Sequence, residues 1–202
     1  MSFFILSASH RPNSQSKKVG EFIESRIKNL FPGQNCDLFS LENNPIPLWD
    51  SGVWEGTETW TQAWTPVKER LEKASAFIAI TPEWGGMATP GIRNFLLLAS
   101  GGPLSHKPGL IVSVSASRNG AYPVSELRAN TTKNNQLCWI PEHVIVRDVE
   151  SMLNEETPAN QDDSYIRGRI DYALKLLNEY SKSLEDVRKS GVIDAKNYPF
   201  GM

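Results

Sequence analysis

Short apolar runs and longer helical repeats alternate along this chain of 202 residues. The runs fall at 3–6, 36–41, 76–81, 110–114 and 143–146. Several are continuous rather than alternating, which is the pattern of strands buried on both faces of a parallel sheet. Between them the apolar positions change to helical spacing. Val19, Phe22, Ile23, Ile27 and Leu30 share one face, and Pro32-Gly33 ends it. Trp64, Val67, Leu71 and Ala74 predict a second helix. Ile92, Phe95, Leu96 and Ala99 predict a third, stopped by Gly101-Gly102-Pro103. Val124, Leu127, Arg128 and Thr131 fit a fourth. Tyr165, Ile166, Ile170, Ala173, Leu174 and Leu177 make a long fifth after the cap-like Asp162-Asp163-Ser164.

This alternation argues for an α/β domain with a parallel sheet and right-handed crossovers. The length suits one domain, placed at 1–183, with 184–202 read as a C-terminal tail. Apolar residues at 40% and charged residues at 22% describe an ordinary globular protein, and a net charge of −2 gives no reason to expect nucleic acid or an anionic membrane as partner. Cys36 and Cys138 lack metal-ligand spacing and read as reduced thiols, although a disulfide stays open. No apolar run approaches the ~20 residues of a membrane span, and the N-terminus is a poor signal peptide. The expected location is cytoplasmic.

Three loops carry the candidate chemistry. The first follows the first strand and offers Ser7, Ser9, Arg11, Ser14, Gln15 and Ser16 just where a helix begins. Free N–H groups and the dipole at a helix start favour an anion, and hydroxyls can neutralise a phosphate with little formal charge. Arg11 could add a bidentate contact to that phosphate or to a second anion at the rim. Taken alone, the same residues are also an ordinary N-cap. Neither G-x-G-x-x-G nor G-x-x-x-x-G-K-[ST] is present, so a dinucleotide fingerprint and a P-loop are both excluded. His10 reads as a surface residue.

The second loop, Pro82-Glu83-Trp84-Gly85-Gly86, leaves its strand with two glycines that allow close backbone approach, and Trp84 can pack beside an aromatic ring. The third, 115–123, holds Ser115, Ser117, Arg118, Gly120 and Tyr122 and can present amides to a polar ring edge. Each could be a plain strand-to-helix turn. Their coincidence is more specific, because ligands of open parallel sheets bind where the carboxyl ends of neighbouring strands meet.

At these residues the chain resembles the NAD(P)H-dependent FMN reductase family of flavodoxin-like proteins. The family pattern G-S-x-R-x-x-S is met by Ala8-Ser9-His10-Arg11-Pro12-Asn13-Ser14, with Ala8 in place of Gly. The pattern P-E-Y-N-G-S-x-P-G-x-x-K-N is met by Pro82, Glu83, Gly86 and Asn94. Trp84, Gly85, Met87 and Arg93 depart from it, and Pro90-Gly91 is displaced by one residue. Asp37-Leu38 followed by Pro45-Ile46-Pro47-Leu48-Trp49-Asp50 is similar to the family's D-L…L-P-x-x-D stretch. The resemblance covers about residues 1–146. It implies a doubly wound five-stranded sheet in the order 2-1-3-4-5 with helices on both faces.

It further implies FMN, its phosphate among Ser9, Arg11, Ser14 and Ser16, with Gln15 of the same loop a further candidate contact. The ring would lie against Pro82, Glu83, Trp84, Gly85 and Gly86, and its pyrimidine-like edge against the loop of Ser115, Ser117, Arg118, Gly120 and Tyr122. NADPH or NADH would pass hydride to flavin N5. A small-molecule acceptor such as flavin, a quinone, an azo compound or a metal oxyanion would then follow. The flavin carries that chemistry, so no catalytic side chain and no metal are assigned, and Glu83 reads as a structural hydrogen-bonding group. A homodimer or homotetramer is expected by the same resemblance. Trp49, Trp54, Trp60 and Trp64 crowd one short stretch, which suggests a subunit contact or a wall over the flavin, while one or two could instead pack on the core. Two rival readings remain: an FMN-binding electron carrier or redox sensor, and a phosphate-ester hydrolase or transferase. The latter lacks a G-x-S-x-G elbow.

Overall fold

The computed structural model describes residues 1–200. Strands β1 (Ser2–Ser7), β2 (Asn35–Ser40), β3 (Ala76–Pro82), β4 (Pro108–Val114) and β5 (Cys138–Val146) form one sheet in the order β2-β1-β3-β4-β5, with every pairing parallel. The helices are α1 (Gln15–Leu30), the short α2 (Gly52–Glu55) and α3 (Glu58–Ala63), α4 (Thr65–Lys73), α5 (Pro90–Leu98), α6 (Ala121–Asn130) and α7 (Gln161–Lys189). The expected flavodoxin-like architecture is therefore the observed one.

The two-residue period of each strand divides the core into two halves. Phe3, Ile5, Ile78, Ile80, Leu110 and Val112 turn to the face covered by α1 and α7, where Val19, Ile23, Ile170 and Leu174 meet them. Phe4, Leu6, Phe77, Ala79 and Ile111 turn to the other face, under Val67, Leu71, Ile92 and Phe95. Phe77 and Phe95 stack there with ring centroids 6.1 Å apart. Both faces are dry, which is why the central strands read as unbroken apolar runs.

Three differences from the sequence reading have local causes. Strand β5 begins at Cys138, five residues before the expected 143. Pro141 and Glu142 break the apolar run, and an edge strand tolerates Pro because one side of its backbone has no ladder to complete. The Trp-rich stretch folds into α2 and α3. Trp60 and Trp64 are core residues and Trp49 is half-buried, so packing on the core accounts for most of it. Only Trp54 stands out, 77% exposed and edge-on to Trp49 at 4.9 Å. Finally, α7 continues to Lys189, past the point at 184 where the tail was expected to start. Cys36 and Cys138 are both free, and burial pushes the Cys36 thiol up to about 12.

At the far edge of the sheet from the ligand loops, Lys107 is buried just before β4. Its ammonium donates to the Leu71 and Glu72 carbonyls at 2.7 and 3.0 Å and so caps α4. Desolvation, then the nearby Arg188, lowers its pKa to about 8. In the unfolded chain it returns to about 10.4. Between those values the unfolded state binds the extra proton, so this group's contribution to stability grows with rising pH and is lost as pH falls through about 8. Urea unfolding at about pH 7.5 and about pH 9.5 should show that rise in the wild type and not in Lys107→Met.

Candidate functional site

All five strands point the same way, so the loops leaving β1, β3, β4 and β5 gather at one edge. They enclose a cavity of about 220 Å³. Ser9, Arg11, Ser14, Gln15, Ser16, Pro82, Glu83 and Trp84 line it, eight residues nominated from sequence. Asn13, Val114, Ala116, Val149 and Glu150 complete it.

The first loop gathers hydroxyls and free N–H groups at the start of α1. Ser14 has extended backbone at the N-cap of α1, and its Oγ accepts from the Lys17 N–H at 3.2 Å. That uses the hydroxyl oxygen and leaves its proton free to donate. Ser9 and Ser16 are almost fully buried at the cavity wall, and Ser9 Oγ accepts from the Arg11 N–H at 3.4 Å. Gln15 Oε1 is buried with no partner among the described residues. Asn13 adopts φ 51°, and Glu42 holds it there by accepting its N–H at 2.9 Å and the Lys17 ammonium at 2.8 Å. The Lys17 hydrogen bond, then the Asn13 N–H, lowers the Glu42 pKa. Lys17 is thereby taken from these donors, while exposed Arg11 makes no side-chain hydrogen bond or ion pair among the described residues.

The second loop is a tight hairpin. Trp84 and Met87 exchange backbone hydrogen bonds at 3.0 and 3.1 Å across Gly85 and Gly86. Both glycines have positive φ, 57° and 77°, as a type I′ turn requires. They therefore serve the turn and sit exposed beside the cavity rather than lining it. Thr89 then caps α5 and ties two loops together: its Oγ1 donates to the Ala8 carbonyl at 2.7 Å and accepts from the Ile92 N–H.

The third loop joins the second through Glu83, whose Oε2 accepts the Gly120 N–H at 2.7 Å. Gly120 has φ 108°, and a Cβ there would come within 2.5 Å of Ile145, so the position demands glycine. Ser115 Oγ accepts from the Ser117 N–H at 3.1 Å. Neither serine lines the cavity; Val114 and Ala116 do. Ser117, Arg118 and Tyr122 are exposed, Tyr122 beside the Gly86 turn.

His10 is not the surface residue expected. Its ring is half-buried against Gly91, where a Cβ would meet Nε2 at 2.2 Å, and burial lowers its pKa. Sequence reasoning also missed the turn after β5, which supplies Val149 and Glu150. Its only signal was position, one strand further along the same sheet edge. A larger depression of about 630 Å³ runs along α5 between Trp49 and Asn135. It contains none of the nominated residues.

Fold and loops together define a flavodoxin-like scaffold, with its candidate site at the carboxyl edge of the sheet. The family model for NADPH-dependent FMN reductase matches residues 1–150, and the chain belongs to that family. No curated protein matches the sequence. Solved structures share the fold at low identity. The flavoenzyme NAD(P)H:(acceptor) oxidoreductase FerB from Paracoccus denitrificans is 16% identical with a TM-score of 0.68, over 89% of this chain and 98% of that one. The apo form of the NADH:FMN oxidoreductase EmoB is 13% identical with a TM-score of 0.66, over 90% and 89%. The azoreductase AzrA is 14% identical with a TM-score of 0.54, over 91% and 99%.

The Glu83–Gly120 bridge gives a direct test. Glu83→Ala leaves the buried Gly120 N–H without a partner and should cost about 1–3 kcal/mol in urea unfolding. Glu83→Gln keeps an acceptor oxygen and should cost less than half of that.

Proposed function

We propose that the cavity binds FMN and that the protein is an NAD(P)H-dependent FMN reductase that passes electrons to a small-molecule acceptor. The observation that carries this reading is the unpartnered, buried Gln15 Oε1 in a serine-lined cavity at the start of α1. A phosphate monoester suits the free α1 N–H groups and the Ser9, Ser14 and Ser16 hydroxyls. The Gln15 acceptor calls for a hydroxyl donor, which a ribityl chain has. At about 220 Å³ the cavity is smaller than the ~300–1,000 Å³ that encloses a whole small-molecule ligand, so the ring end would rest on the open loops.

Bound FMN would supply the redox chemistry, taking hydride from NADPH or NADH and yielding electrons to flavin, a quinone, an azo compound or a metal oxyanion. This chain's residues do the holding. Pro82, Glu83 and Trp84 would border the ring, and the Gly85-Gly86 turn would leave its outer face uncluttered for a nicotinamide. Arg11, exposed at the rim, is available to the cofactor phosphate or to a nucleotide phosphate. Exposed Leu48, Trp54, Met87 and Leu97 support a homodimer or homotetramer. The free thiols suit a reducing compartment such as the cytoplasm. Among the described residues no helix is long and apolar enough to cross a membrane.

Purified protein should take up FMN in preference to riboflavin, and failure to bind it in a fluorescence titration would overturn the reading. Ser14→Ala should weaken FMN by about 1–2 kcal/mol, since a donor to a charged group is lost. Arg11→Ala should weaken FMN or raise the nucleotide KM. Anaerobic stopped-flow mixing with NADPH or NADH should bleach the flavin band, and a quinone should restore it. FMN that binds yet stays oxidised with both nucleotides would favour an electron carrier. Trp84→Ala should change nucleotide or acceptor kinetics more than thermal stability.

A further inference from the structure

The turn after β5 has a backbone that needs outside support. Asp148 and Leu153 adopt φ 44° and 58°, conformations that non-glycine residues seldom hold without constraint, on either side of a 3₁₀ turn at Val149–Ser151. On one side the turn is bound to the β4 loop: the Asp148 and Val149 N–H groups donate to the Ser117 and Ser115 carbonyls at 3.1 and 3.2 Å. On the other, buried Asp163 accepts the Leu153 N–H at 2.9 Å. The third support comes from α1. Lys18 sends its ammonium to the Val149 carbonyl at 2.7 Å, the Met152 carbonyl at 2.9 Å and Asn154 Oδ1 at 2.7 Å. Those acceptors use all three ammonium protons, so Lys18 has none to offer an anion in the cavity.

We infer that Lys18 is a positioning residue for the cofactor. It locks the turn that carries Val149 and Glu150 as the wall of the cavity, in fixed register with the phosphate loop. Lys18 lies four residues after Ser14 on the same helix, so one rigid element carries both the phosphate donors and the anchor of the opposing wall. Through Val149, Asp148 and the Ser115 and Ser117 carbonyls, the same contacts reach the loop after β4. Two of the three Lys18 acceptors, and Asp163, lie beyond residue 150, where the family match ends. Lys18 and its first acceptor, Val149, lie within the matched residues. The inference rests on the FMN reading.

Lys18→Met and Asn154→Ala separate positioning from simple stabilisation. FMN affinity is measured by fluorescence titration well below the melting temperature, alongside apoprotein stability and hydrogen exchange at 148–154. Lys18→Met is expected to weaken FMN about tenfold or more. It should raise the FMN concentration for half-maximal NAD(P)H oxidation by the same factor while lowering the maximal rate less. It should also abolish the exchange protection that FMN confers on 148–154. Asn154→Ala, on an exposed side chain, removes one acceptor and should weaken FMN about two- to fourfold. It keeps the test open if Lys18→Met does not fold. A lysine that merely stabilises the fold would lower the apoprotein melting temperature and leave FMN affinity unchanged. That result, in folded Lys18→Met or in Asn154→Ala, overturns the assignment of Lys18. Wild-type protein that binds no FMN overturns the flavin reading itself, and this inference with it.

Discussion

Everything at the ligand edge depends on one constraint: five strands buried on both faces and running in the same direction. Parallel strands cannot be joined by tight hairpins, so each must return through a crossover. Every carboxyl end then opens on the same side. Five loops are forced to one edge, and their backbone N–H and C=O groups must find partners there. The cavity is what remains after those obligations are met.

The loops meet them largely by bracing one another. Glu42 reaches from the loop after β2 to the loop after β1, Thr89 ties the exit of β3 to the exit of β1, and Glu83 holds Gly120. Asn94 on α5 fastens the 47–49 segment at both ends, accepting the Trp49 N–H and donating to the Pro47 carbonyl, each at 2.8 Å. In each case a short polar side chain meets a backbone group of another loop. Such bonds are directional, so they set positions rather than merely attract.

This bracing explains the electrostatics. Two lysines stand at the start of α1, yet neither offers its charge to the cavity: Lys17 serves Glu42, and Lys18 serves the turn after β5. Neutral donors at a helix start are left to receive an anion, with Arg11 at the rim. An anion met by donors of that kind would be held through geometry more than net charge.

Much of this was legible in the sequence because its causes are local. Short apolar runs marked all five strands, helical spacing marked α1, α4, α5, α6 and α7, and the serine-rich exit of β1 marked a candidate anion site. The early part of β5 was hidden by Pro141, which is permitted only because β5 lies at an edge. Which tryptophans are core, which loop residues face the cavity and which merely hold it, and that the turn after β5 forms a wall were not legible. Lys18 and Met152 are 134 residues apart, and Asn13 and Glu42 are 29 apart. The sequence by itself determined the elements, their likeness to a reductase family and the chemical character of the loops. The tertiary structure decided which polar groups are spent on each other and which are left for a ligand, because that division depends on distances no local pattern encodes.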